Sequence, residues 1–225
     1  MGNAARAGGL MAFWADIVDD HVQDFREWHN CEHMAERCAI PGFIVGRRYC
    51  GIDGAPMFLM YYETENAAVL ASPAYHARLN DPTPWTTAML QHYRNSDRTI
   101  FSLLAASGTP AETEPPYVTT CRFNMDPATR SEVEPRLAGE WLDRLAHHEQ
   151  VIDVRLYRVD EEVSGMMTAE RRIYGGGPGA REYLVMIETW QRFRPDLDPG
   201  PALPRQDQVV HEFWLDMALH APGAR

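Results

Sequence analysis

Apolar runs and helical periodicities alternate along this chain in an order that occurs twice. Residues 10–18, LMAFWADIV, read as an apolar strand, and residues 20–38 carry helical periodicity up to the break at Pro41-Gly42. Two strand-like runs follow, Phe43 to Cys50 and Pro56 to Glu63, separated by turn residues that include Gly51, Asp53 and Gly54. A Pro-punctuated stretch from Ser72 to Pro84 leads into a short helix around Trp85 to Tyr93, and the apolar run Ile100 to Ala105 closes the set. The order is β-α-β-β-α-β, a ferredoxin-like unit. After GTPAETEPP, residues 108–116, the pattern restarts. A strand is predicted over 117–125, a helix over 131–148, strands over 151–159 and 182–190, and a closing strand over 209–219.

Sliding the chain by 108 positions lays Phe13 on Cys121, Ile44 on Ile152, Arg47 on Arg155 and Tyr49 on Tyr157. An offset of 125 is needed to lay Tyr62, Glu63 and Thr64 on Ile187, Glu188 and Thr189, so about 17 residues are inserted within Asp160 to Arg181. That insertion holds GGGPG, Gly175 to Gly179, which reads as a flexible hairpin tip or a flap over a barrel mouth and not as a phosphate loop. The predicted organisation is an N-terminal unit 1–107 carrying the site, a linker 108–116, and a degenerate C-terminal unit 117–225. Strands buried on both faces should read as continuous apolar runs, as MAFWADIV and MFLMYY do. The expected fold class is α+β: two ferredoxin-like repeats whose antiparallel sheets close an intrachain pseudo-dimeric α/β barrel with helices outside.

Helix 20–38 breaks the binary pattern. At about 100° per residue from Phe25, the core-facing stripe holds Val22, Phe25, Trp28 and Ala35, and with them His29, Glu32 and Glu36. His33 falls at its edge, while Met34 and Arg37 point elsewhere. The second helix puts Val133, Leu137, Trp141 and Leu145 on the matching stripe, so only the first half carries a polar constellation. His29 is the first choice for general acid or base, because an imidazole titrates near neutral pH; Glu32 would orient it, with His33 beside them. Arg47 or Arg48 would anchor substrate charge. Tyr61 and Tyr62 point to opposite faces of their strand, so one of them should reach the same cavity, and Tyr75, His76 and Trp85 would form its wall or lid. A structural reading stands beside this one, in which Glu32 caps backbone amides or pairs with an arginine and His29 is a satisfied core histidine. The string His29-x-x-Glu32-His33 matches one zinc peptidase motif, yet the stripe turns His33 from Glu32, and no metal is expected.

Composition narrows the partners. A net charge of -11 argues against nucleic acid and anionic membranes. No apolar run reaches the roughly 20 residues of a membrane span, and Met1 to Leu10 lacks the features of a secretory signal. The cysteines Cys31, Cys38, Cys50 and Cys121 form no zinc spacing, and reduced thiols in a cytoplasm are expected. A homodimer is compatible with all of this.

The run FREWHNCEHMAERCAIPGFIVGRRY (Phe25 to Tyr49), then LMYYE, then SPAYHARLNDPTPWT (Ser72 to Thr86), resembles the EthD-like branch of the dimeric α/β-barrel superfamily. The resemblance covers roughly residues 10–106; the second half is similar only in layout. It implies the barrel fold, whose members include lactone isomerases, polyketide cyclases, cofactor-independent monooxygenases and haem-handling proteins, so it leaves the reaction open. The expected function is cofactor-independent acid/base chemistry (lyase, decarboxylase, isomerase or cyclase) on a small hydrophobic or aromatic organic acid of a catabolic or biosynthetic pathway. Alternatives are a cofactor-free or haem-dependent monooxygenase and a non-catalytic small-molecule binding protein.

Overall fold

The fold is seen in a computed structural model. It describes residues 6–54, 56–110, 113–198, 200 and 205–223, so positions 1–5 of the N-terminal segment and 111–112 of the linker lie outside the described residues. Eight strands, β1 (Gly9–Ile17), β2 (Phe43–Gly51), β3 (Phe58–Thr64), β4 (Tyr93–Gly108), β5 (Tyr117–Asn124), β6 (Val151–Val159), β7 (Tyr183–Thr189) and β8 (Gln206–His220), close into a barrel. Their order is β1-β3-β2-β8-β5-β7-β6-β4, and every neighbouring pair is antiparallel. The first four strands run β4-β1-β3-β2 and the last four β8-β5-β7-β6, the same permutation. The registers agree under the two sequence offsets: Phe13 faces Met60 as Cys121 faces Val185, and Arg47 faces Tyr61 as Arg155 faces Met186.

The closing strands are longer than the apolar runs that announced them. β4 has 16 residues and β8 has 15. β4 pairs β1 through Ser102 and β6 from Phe101 onward, while β8 pairs β5 as far as Trp214 and β2 from Phe213 onward. Each therefore leaves its own sheet to seal the other, and their polar, half-buried ends hid them from a hydrophobicity reading. Helices cover the outside. The first is continuous from α1 (Val22–Trp28) through a π-turn (His29–His33) into α2 (Met34–Cys38). The Pro-punctuated stretch holds α3 (Pro73–Asn80) as well as α4 (Pro84–Leu90). Each has Pro at its first turn and a hydroxyl cap, Ser72 Oγ accepting from Tyr75 N and Thr83 Oγ1 from Thr86 N. In the second half α5 (Arg130–Arg136), a π-turn (Leu137–Trp141) and α6 (Leu142–Ala146) repeat the first helix. The two π-turns lie 108 positions apart.

The insertion carries α7 (Glu161–Gly165) and α8 (Ala169–Tyr174) and packs against the first half, over α3, α4 and β4. GGGPG is not a free tip. Gly175 ends α8 at φ 72°, a left-handed position that favours glycine. Gly177 bridges to Asp97 on β4, and a Cβ on Gly179 would lie 2.3 Å from Asp97 Oδ2. Apolar side chains collect in three clusters, one beneath each half's helices and one inside the barrel around Trp14, Tyr49, Tyr61 and Phe213. No helix among the described residues is long and apolar enough to cross a membrane.

A candidate active site between helix and sheet

The π-turn governs which side chains of the first helix face inward. Winding one extra residue into a turn rotates everything after it by one position relative to an α-helix. Met34, Arg37 and Cys38 are accordingly buried, while Ala35 is exposed and Glu36 only half-buried, the reverse of the straight-helix expectation. His33 moves from the stripe's edge to its centre, and Arg37 joins it one turn later. On β2 alternation divides the arginines: Arg48 faces the helix and Arg47 the barrel. On β3 it sends Tyr62 to the helix and Tyr61 inward.

Beneath the helix, His29 is paired on both ring nitrogens. Arg48 Nη1 donates to its Nδ1 at 3.2 Å, and a guanidinium only donates. The ring proton therefore sits on Nε2, 3.3 Å from the Tyr62 hydroxyl. Burial first, then the charges of Arg48 and Arg37, hold its pKa well below the usual histidine value, so it is neutral. Arg48 Nε donates in turn to Asp216 of β8 at 2.8 Å. Glu32 does not reach His29. Thr83 and Thr86 both donate to its Oε1, at 2.6 and 3.0 Å, and Trp28 Nε1 donates to Thr86 Oγ1, which clamps the first helix to the start of α4.

His33 is placed differently. It lines a small cavity between helix and sheet with Arg37, Arg98, Glu170, Tyr75 and Tyr93, which Phe13 and Leu79 help to wall with carbon. Its Nδ1 is buried and has no hydrogen-bond partner among the described residues. Burial, then Arg37, His29 and Arg98, push its pKa well down, so it too is neutral, with one of its two ring nitrogens unprotonated. Arg37 Nη2 is bonded to Glu170 Oε1 of α8, while its Nη1 has no partner among the described residues. Arg98 Nη2 donates to the Tyr75 hydroxyl at 2.8 Å. The cavity holds about 20 Å³, room for one water.

Of the residues singled out in the sequence, His33 and Tyr75 line this cavity. His29, Arg48 and Tyr62 stand behind it, His76 is half-buried in α3, and Trp85 is 37% exposed on α4. Arg47 and Tyr61 belong to a second cluster at the barrel end. There Arg155 pairs with both Glu63 and Glu188, Arg47 pairs with Glu63 at 3.1 Å and with linker Glu114 at 2.5 Å, and Tyr61 donates to Glu188 at 3.3 Å. Burial would raise the pKa of Glu63, but Arg155 and Arg47 outweigh it and hold the group at about 2. The adjoining cavity is about 180 Å³.

Sequence reasoning missed Arg37, Arg98 and Glu170. Arg37 was legible through the second helix: subtracting 108 from Val133, Leu137, Trp141 and Leu145 gives Phe25, His29, His33 and Arg37. Glu170 lies in the insertion, where no repeat signal reaches. A haem does not fit these residues. A porphyrin would have to part the first helix from β1 to β3, where Phe25, Trp28, His29 and Met34 are at most 1% exposed. No cluster of three or more His, Cys, Asp or Glu able to hold a metal occurs among the described residues.

Among solved structures, the chain is similar to an anthrone oxidase-like protein at 9% identity and TM-score 0.63, over 100% of this chain and 98% of that one. It is also similar to a candidate monooxygenase from Fusobacterium nucleatum subsp. nucleatum, at 8% identity and TM-score 0.59, over 96% and 95%. A mutant chlorite dismutase from Candidatus Nitrospira defluvii aligns at 9% identity and TM-score 0.51, over 95% and 93%. The likeness is one of fold, the dimeric α/β barrel. No family profile and no curated protein matches the chain.

Proposed function

We propose that this chain is an enzyme that oxidises a small, acidic aromatic substrate with dioxygen and without a cofactor, His33 acting as the base. One observation carries the reading. His29, His33, Arg37, Arg48 and Tyr62 occupy the positions that the second half fills with Leu137, Trp141, Leu145, Leu156 and Ile187, all five of them buried. The fold packs well with carbon at these places, so the polar set serves something other than packing. A buried ion pair is weak evidence of stability, and titratable groups perturbed by burial and a charged partner in a cleft are candidates for a functional site.

The chemistry follows from a weakly basic imidazole nitrogen beside two guanidiniums. A histidine whose pKa is pushed down can deprotonate only a substrate whose anion is strongly delocalised, such as a ring methylene between aryl and carbonyl groups. With the cavity wall displaced beyond its one-water volume to admit the ring, His33 takes that proton and Arg98 holds the enolate oxygen. The electron-rich anion passes one electron to dioxygen, and the radical pair combines to a hydroperoxide. The peroxide takes its proton from the His33 imidazolium; His33 then removes the remaining C–H proton as the O–O bond breaks, and that proton goes to the departing hydroxide to give water. The sum is one ring methylene and one dioxygen giving one ring carbonyl and one water. Arg48 and Tyr62 fix His29, whose ring lies 5.6 Å from the His33 ring, tilted 30° to it, and positions it. The anthrone oxidase-like and monooxygenase-type neighbours favour oxygenation over the lyase or isomerase chemistry that the same proton abstraction could also begin. Membership of the EthD-like branch and a small-molecule substrate are part of the proposal.

Anthrone offered to the purified protein in an oxygen electrode tests it. Oxygen uptake, with one atom of isotopically labelled dioxygen retained in the product, is the expected result. His33→Gln should lower the rate by about 10²-fold or more while thermal unfolding stays near wild type. Equal turnover in that variant would remove His33 from the mechanism. Product formed without oxygen uptake would return the lyase reading.

A further inference from the structure

The cavity is closed by a carboxylate that does not belong to the half that builds it. Glu170 sits on α8 of the insertion, is 5% exposed, and is bonded to Arg37 of the first helix. The charges do not balance. Arg37 and Arg98 bring two positive groups, Glu170 brings one negative group, and His33 is neutral. Only one arm of the Arg37 fork is engaged, its Nη1 being buried without a partner among the described residues. A planar carboxylate can take both arms of a guanidinium. Glu170 takes one.

Resting on the function proposed above, we infer that Arg37 is the seat for a carboxylate on the aromatic substrate, and that Glu170 holds this seat until the substrate displaces it. The substrate class is thereby an aryl carboxylate whose ring reaches His33 and whose enolisable oxygen reaches Arg98.

The surroundings of α8 suit an exchange. Within its insertion the helix is held by Arg171, which donates to the carbonyls of Ser164, Gly165, Met166 and Gly176 at 2.9–3.2 Å, and its Tyr174 end packs on Phe13 and Tyr93 of the first half. Towards the first half, α8 adds to the bond between Glu170 and Arg37 one from Ala169 N to Asn80 Oδ1, at 3.0 Å. Met167, just before α8, is 56% exposed. Releasing Glu170 breaks one ion pair and no strand pairing, and Tyr174 keeps α8 docked on Phe13 and Tyr93 while the Glu170 side chain swings out. Burial also raises the pKa of Glu170 despite Arg37 beside it, so its carboxylate gains on returning to water. An incoming carboxylate restores the bond to Arg37 with a second arm added, and a neutral ligand of the same shape does not.

Two binding probes that the proposed reaction does not consume, 2-naphthoate and 2-naphthol, separate this from a purely structural strut. Titration by calorimetry should show Glu170→Gln binding 2-naphthoate at least tenfold more tightly than wild type, with 2-naphthol within about twofold. Arg37→Met should lose 2-naphthoate and keep 2-naphthol. Weaker or unchanged 2-naphthoate binding in Glu170→Gln overturns the inference, as does equal loss of both probes in Arg37→Met. The readout is affinity, so a protein inert towards anthrone and oxygen could still pass, and an active oxygenase could still fail.

Discussion

The pairing of His29 with Arg48 and Tyr62 fills with polar groups a place that the same chain elsewhere fills with carbon. Replacing His29 alone by leucine, as at position 137, would leave Arg48 Nη1 and the Tyr62 hydroxyl without partners, at a cost of about 1–3 kcal/mol. Copying the whole set, as His29→Leu, Arg48→Leu and Tyr62→Ile, removes both orphans and leaves Asp216 its pairing with Arg26 at 3.5 Å, so it should recover most of that loss. Urea unfolding of the single and triple variants checks this; a triple variant less stable than the single one would refute it. The same set shapes the acid limb. His29 and His33 have folded pKa values below their ordinary 6.5, so beneath that pH the unfolded chain binds more protons than the folded one. Stability is full above about 6.5 and declines as the pH falls, and the triple variant should decline less.

The π-turn belongs to the scale of elements. It is what places His33 and Arg37 against the cavity, and it occurs at the same place in both halves. Asn30 lies within it and is exposed. Deleting Asn30 would restore α-helical winding while keeping Phe25, Trp28, His29 and the residues from His33 onward on the inner face, shortened by about 1.5 Å. Melting temperature should stay within a few degrees of wild type, and turnover should fall at least tenfold because the imidazole is displaced. Unchanged turnover would show the π-turn to be idle. This element also marks where sequence reading reached its limit. The apolar faces of β1, β2 and β3 and the order of elements were plain, because burial on both sides leaves unbroken apolar runs. A wheel of constant pitch, however, cannot register an extra residue, and so it put Glu32 and Ala35 inside and Arg37 outside. The partners of Glu32, two threonines on another helix, are set by tertiary approach and leave no periodic trace.

At the scale of the molecule, closure of the barrel leaves no sheet edge unpaired, since β2 meets β8 and β4 meets β6. A fragment of residues 1–107 would expose both of those edges together with the barrel face of Trp14, Tyr49 and Tyr61. It should run as a dimer or larger species in light scattering, and a stable monomer would argue that the halves fold independently of closure. The two offsets, 108 and 125, had already aligned Arg47 with Arg155 and Glu63 with Glu188. What they could not convey was that these four meet at one end of the barrel, because an alignment carries equivalence and not proximity.

The insertion between β6 and β7 has only the short turn between β2 and β3 as its counterpart in the first half. A symmetric pair of chains would own either two such covers or none, and its two pockets would respond alike. In this one polypeptide the division is unequal: the first half lines the cavity, and the insertion adds Thr168, Glu170 and Tyr174 to its wall. Ligand titrations should therefore saturate at one equivalent per chain and follow a simple hyperbola, whatever number of chains associate.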